Sequence, residues 1–253
     1  MNCSLFTPAH SVTGSSPLPY SIKISSKAKS ARLKMTPHAG LVVVLPEGFN
    51  KKDLPALLLR HEAWIHKAAD RIEMHRPEPF PVTENGLPYS VVFPYVDEKW
   101  SVEYHHKCRS MVESDEGGGK RLLLSAHLTD AALCRRQLLF WLKRKAQIHL
   151  LSSFEKLAAA HDFNYNEAQV RLQHSRWGSC TSRSLITLNT KLLFLPEHLT
   201  RYIMIHELCH TVHMNHSKAF WALVCRHDPL WHINNMEMRS AWKYVPAWVS
   251  APL

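Results

Sequence analysis

Two histidines four residues apart, His206 and His210, constrain this chain more than any other feature, with Glu207 beside the first and His216 six residues past the second. Residues four apart on a helix project from one face, so the two imidazoles can share one metal ion. The carboxylate of Glu207 then sits beside the ion's bound water rather than on the ion. A third ligand leaves the fourth coordination position open, which separates a catalytic centre from a closed structural one. The surrounding residues suit this geometry. Pro196 and Glu197 fit the first turn of a helix expected over Leu199 to Val212. Tyr202, Ile203, Ile205 and Leu208 supply the apolar surface that buries it.

The pattern is the HExxH arrangement of zinc hydrolases, with Glu207 as general base. By itself it is weak in a chain with 18 histidines. A histidine-rich helix with no metal is the plain alternative. Two residues compete for the third ligand position. His213 would face the metal only if the helix continued, and would then sit a full turn too far along. His216 follows Asn215, a turn-favouring residue, and precedes Ser217, which reads as the N-cap of the next helix. A chain that turns back there presents His216 from a different direction, so His216 is the expected ligand and His213 a close neighbour. The spacing equals that of the metzincins, but His213 stands where they carry glycine.

The 253 residues carry 45% hydrophobic and 21% charged side chains, as a globular chain with a full core would. No apolar run approaches a membrane span and the first residues lack a signal-peptide core, so a cytoplasmic protein is expected. Six scattered cysteines suit reduced thiols. Strands are expected at SIKISSK (21–27), 41–45, 89–93, 100–104, 166–172 and 185–189. Helical spacing covers Asp53 to Met74 and, with Thr129 or Asp130 as cap, about Asp130 to His161. The long helix has an apolar stripe of Leu138, Trp141, Leu142, Ile148, Leu151, Phe154 and Leu157. Glu113 to Lys120 reads as a loop or hairpin tip.

Further residues gather around the histidine motif. In Arg176-Trp177-Gly178-Ser179-Cys180, glycine permits close backbone approach to another element. That makes the segment a packing turn behind the metal helix, or a site where Ser179 or Arg176 meets a developing oxyanion. Thr187 and Asn189 are candidates for a strand edge that pairs with an extended substrate; a plain core strand is the other reading. Phe220, Trp221, Val224 and Trp231 read as core. The net charge of +10, with clusters such as Lys23, Lys27, Lys29, Arg32 and Lys34, can attract nucleic acid, nucleotides or acidic proteins.

Together, RWGSC (176–180), Leu188-Asn189, HELCH (206–210) and Asn215-His216-Ser217 followed by Phe220-Trp221 resemble the YgjP-like metallopeptidase-domain family, a relative of the SprT-like and Wss-type metalloproteases. The likeness is strong from about Ala168 to Trp231 and looser upstream, where SARLKMTPHAGLVVVLPEGF is similar to the family's N-terminal strands. The segment from Ser110 to Leu124 has no counterpart. The resemblance implies His206, His210 and His216 as ligands of Zn²⁺, Glu207 as catalytic base, and a peptide or protein substrate. SprT-like and Wss-type proteases act on DNA-bound proteins, so it also brings DNA-proximal proteolysis into view. The expected fold is α+β: a zincin-like core with a small mixed sheet and the HExxH helix over residues 126–253, preceded by a strand-rich region with one helix over 1–125. A zinc-dependent phosphohydrolase of nucleotides, or a basic nucleic-acid-associated protein with structural zinc, are the competing readings.

Overall fold

The computed structural model describes residues 19–36, 40–74, 82–105, 111–115, 119–125 and 129–250. The chain forms two compact units that divide at Pro77 and Glu78, each with an apolar core of its own. The architecture is α+β, with three small sheets and interspersed helices. No described helix is long and apolar enough to cross a membrane.

In the first unit, β1 (Tyr20–Ser25), β2 (Arg32–Thr36) and β3 (Gly40–Pro46) form a sheet of order β1-β3-β2. Alternation along β3 buries Leu41, Val43 and Leu45 and leaves Val42 and Val44 half-buried. The buried face packs with Leu54 and Leu58 of α1 (Leu54–Arg60) and Ile65 of α2 (Glu62–Met74). One continuous helix was expected over Asp53 to Met74, but two are found. At His61 the backbone N–H bonds back three residues to Leu58 O (3.1 Å), which tightens the turn and ends the first helix. Ile65 takes the inward position and Trp64 is 45% exposed.

The second unit opens with β4 (Ser90–Phe93), β5 (Glu98–Tyr104), β6 (Val112–Ser114) and β7 (Lys120–Leu124), in the order β4-β5-β7-β6. Glu113 and Ser114 are therefore strand residues and Lys120 starts a strand. Residues 116–118, the middle of the expected loop, lie outside the described residues. The buried side chains Val91, Phe93, Trp100, Val102, Leu122 and Leu124 share a core with α3 (Ala131–Ala160). Trp141 of that helix meets Phe93 and Trp100, both at 5.4 Å between ring centroids. The sequence-based division at residue 125 therefore falls inside this core.

Helix α3 starts where expected, with the Asp130 side chain accepting from Leu133 N (2.9 Å), and ends at His161. Its buried line is Cys134, Leu138, Leu142, Ala146, Leu150, Phe154 and Ala158, each four residues from the last. Four residues overshoot one turn by about 40°, so the line winds around the helix as it passes from one neighbour to the next. A straight stripe therefore misplaces Ile148, which is 59% exposed.

Beyond α3, β8 (Glu167–Arg171), β9 (Gly178–Cys180) and β10 (Leu185–Asn189) form a sheet of order β8-β10-β9, with β10 parallel to β8 and antiparallel to β9. A 3-10 turn (Thr190–Phe194) leads to α4 (Glu197–Cys209), then α5 (Lys218–His227), α6 (Trp231–Met238) and, after another 3-10 turn, α7 (Ala247–Ser250). Strand β10 is central, so Thr187 and Asn189 do not lie on a sheet edge. The outer strand on that side is β9.

Leu142→Ala should cost about 2–5 kcal/mol, because it empties a fully buried site. Ile148→Ala, on the exposed side, should stay within about 0.5 kcal/mol of wild type. Denaturant unfolding of both variants checks the winding line, and equal losses would contradict it.

Candidate metal centre

The centre is built on the last turn of α4 and the link into α5. Helix α4 buries Leu199, Tyr202, Ile203, Met204, Ile205, Leu208 and Cys209 in the core, and Thr200 Oγ1 ties its first turn to Leu192 O (2.8 Å). His206 and Glu207 lie within the helix and His210 is its C-cap. Beyond it the backbone closes on itself, with Thr211 N bonded to Leu208 O (2.9 Å) and His213 N to Cys209 O (2.9 Å). Because the helix stops there, the His213 ring is not carried onto the histidine face. The chain then turns through Met214 and Asn215, and Ser217 caps α5 by accepting from Phe220 N (3.3 Å).

This turn brings His216 back. His206, His210 and His216 each offer one ring nitrogen, all within 4.8 Å of one another. Nε2 of His206 and Nε2 of His216 face each other at 3.1 Å. Ligand nitrogens about 2.05 Å from a tetrahedral zinc would lie roughly 3.3 Å apart, so the spacing fits a small divalent cation. The donor chemistry fits as well, since three imidazoles suit zinc and its neighbours among transition metals. The His210 Nδ1–H donates to the backbone carbonyl of His213 (3.0 Å), which leaves Nε2 free for a metal. The contribution of His213 is thus its carbonyl.

Burial keeps two of these rings neutral. Burial, reinforced by His210 and His216, pushes His206 down to about 3, and burial lowers His210 too. Both are neutral at physiological pH, the state that binds metal. Burial acts on Glu207 in the opposite sense and raises its carboxyl to about 8, against a smaller downward pull from Arg176. Glu207 is 6% exposed, and its Oε2 has no hydrogen-bond partner among the described residues.

The RWGSC segment meets this carboxylate directly. A Cβ placed on Gly178 would lie 2.7 Å from both Cγ and Oε1 of Glu207 and 2.9 Å from Cδ. Only glycine lets β9 lie this close to the α4 carboxylate. Side chains alternate along a strand, so Cys180 shares the Gly178 face and Ser179 takes the other. Consistent with this, Glu207 helps raise the Cys180 thiol to about 11, after burial as the main cause. Arg176 is exposed at the start of the segment.

Asn189 fixes the path into β9. It is fully buried; its Nδ2 donates to Gln173 O (3.0 Å) and Arg176 O (2.6 Å), and its Oδ1 accepts from Lys191 N (3.1 Å). Asn189 N also bonds to Trp177 O (2.9 Å). Trp177 stacks on Trp242 (4.2 Å), which lies 5.0 Å from the buried Lys191 ammonium. Asn189 therefore supports the site from within. Phe220 and Trp221 read from sequence as core, and Phe220 is fully buried there with Trp221 packed against the same cluster; both also lie against the histidine rings. Their position four and five residues after His216, just past a capping serine, was the available signal.

A family model described as YgjP-like, metallopeptidase domain, matches residues 29–241. No curated protein and no solved structure matches the chain.

Gly178→Ala should force Glu207 or β9 to move and destabilise the fold by about 1–3 kcal/mol, as overpacking does. Thermal unfolding beside wild type measures it. An unchanged melting temperature would show that the contact is looser than 2.7 Å implies.

Proposed function

The chain belongs to the YgjP-like metallopeptidase family, and from that premise we propose that it is a zinc-dependent peptidase with a zincin-like core. His206, His210 and His216 are its metal ligands and Glu207 its general base. The observation that carries this reading is the convergence of three imidazole nitrogens within 4.8 Å, with a buried carboxylate beside His206 on α4. When bound, zinc supplies Lewis acidity toward a carbonyl oxygen and activates water near neutral pH.

The chain's own groups do the rest. Oε2 of Glu207, buried and without a partner among the described residues, is the atom that takes a proton from the attacking water and returns it to the departing amine. Its raised affinity for protons suits it to both transfers. Strand β9 is the outer strand of its sheet beside Glu207. An extended peptide added to that edge is held by main-chain hydrogen bonds, whatever its side chains. The exposed Arg176 guanidinium, close enough to act on Glu207, receives a substrate carbonyl or acidic group. The same ligands would serve hydrolysis of a nucleotide phosphate, and the charge of +10 would favour nucleic acid. The family's description supports a peptide bond.

Glu207→Gln should retain about one zinc per chain while peptide turnover falls by roughly a hundredfold or more. Elemental analysis and a generic casein assay, with nucleotides assayed in parallel, read the result; undiminished turnover would remove Glu207 from the chemistry. His216→Ala should lose or weaken zinc binding and His213→Ala should keep it, because only a carbonyl of residue 213 is used. Zinc loss in His213→Ala alone would reverse the ligand assignment.

A further inference from the structure

Protein ligands to metals are usually oriented by a hydrogen bond at the second ring nitrogen. Here that device serves one ring of the three. His210 Nδ1 is held by the His213 carbonyl, whereas His206 Nδ1 is buried without a partner among the described residues. The polar contact the His216 ring makes among those residues is the one to His206, through the nitrogen a metal would take. His216 also lies outside any helix and is exposed, so its ring has the most rotational freedom to lose.

Aromatic rings pack against the histidines as well. Phe220, fully buried, touches all three histidines: 5.0 Å from His206, 4.5 Å and stacked on His210, 4.8 Å from His216 between ring centroids. Trp221 stacks on His216 (5.5 Å, 30° between planes) and meets His206 at 5.8 Å. Its ring is backed in turn by Trp231, stacked at 4.5 Å and 18°. Ser217 makes this possible. As the N-cap of α5 it places both aromatics in the turn that follows the ligand.

We propose that Phe220 and Trp221 form an aromatic clamp that fixes the ligand rings by packing, with Trp221, backed by Trp231, the positioning residue for His216. The inference rests on the metal-site reading above. Removing the Trp221 face frees the His216 ring to occupy other rotamers, and that freedom must be given up when metal binds.

The test is Zn²⁺ affinity, by competition with a chromophoric chelator, for wild type, Trp221→Leu, Trp221→Phe and Trp231→Leu, with the visible spectrum of the Co²⁺-substituted proteins. Trp221→Leu should weaken zinc binding about 10–100-fold, the range for lost outer support of a ligand, and alter the cobalt bands. Trp221→Phe, which keeps a flat face, should restore affinity to within a few-fold and keep the wild-type bands. Trp231→Leu should give a smaller loss, and it decides the matter if Trp221→Leu does not fold. Wild-type affinity and bands in Trp221→Leu, or equal losses in the Phe and Leu variants, would overturn the clamp. A wild-type protein that takes up no zinc would overturn the metal site itself, and the clamp with it.

Discussion

The close approach of β9 to Glu207 is the constraint on which the site depends. A carboxylate within a buried helix face has few ways to be held without a partner that neutralises it. Here the strand backbone lies against it, and Gly178 has no room for even a methyl group. This contact covers one side of the carboxylate, whose Oε2 is buried without a partner among the described residues. Desolvation then raises the proton affinity of Glu207, outweighing the smaller downward pull of Arg176. The support for β9 continues inward. Asn189 uses both its amide and its carbonyl to hold the backbone between Gln173 and Lys191, so a fully buried residue decides where an edge strand meets α4.

Desolvation works in opposite directions on the two residue types of the centre, and both outcomes suit one chemistry. It keeps His206 and His210 neutral, the form in which an imidazole can bind metal, and makes Glu207 a stronger base than a free carboxylate. Phe220 and Trp221 wall the histidine rings and restrict them. Helix α4 can carry both features because Met204 and Leu208, on the side away from His206, are committed to the core.

Much of this was legible in the residues. Turn and cap chemistry placed the starts of α3, α4 and α5 within about two residues, because Asp130, Pro196 and Ser217 act locally. The apolar run from Leu41 to Leu45 placed β3, and the strands at β8 and β10 were read within a residue at each end. Long-range pairing was not legible. Nothing local to Thr187 and Asn189 says that β10 is flanked on both sides, or that β9, three residues long, takes the edge. The burial of Leu150 instead of Ile148 likewise depends on what α3 packs against along its length.

By itself the sequence determined the ingredients of the centre: two histidines and a carboxylate on one helix, a turn that returns His216, and a glycine where a backbone must come close. These follow from helical periodicity, capping and the missing side chain of glycine, all of which act within a few residues. Tertiary structure alone decided which groups meet. It set β9 on Glu207, turned Asn189 inward as a support, put Phe220 and Trp221 against the ligand rings and joined the four-stranded sheet to the core of α3. Those contacts join residues far apart in the chain, and their energies depend on the burial and strand pairing that only the folded whole provides.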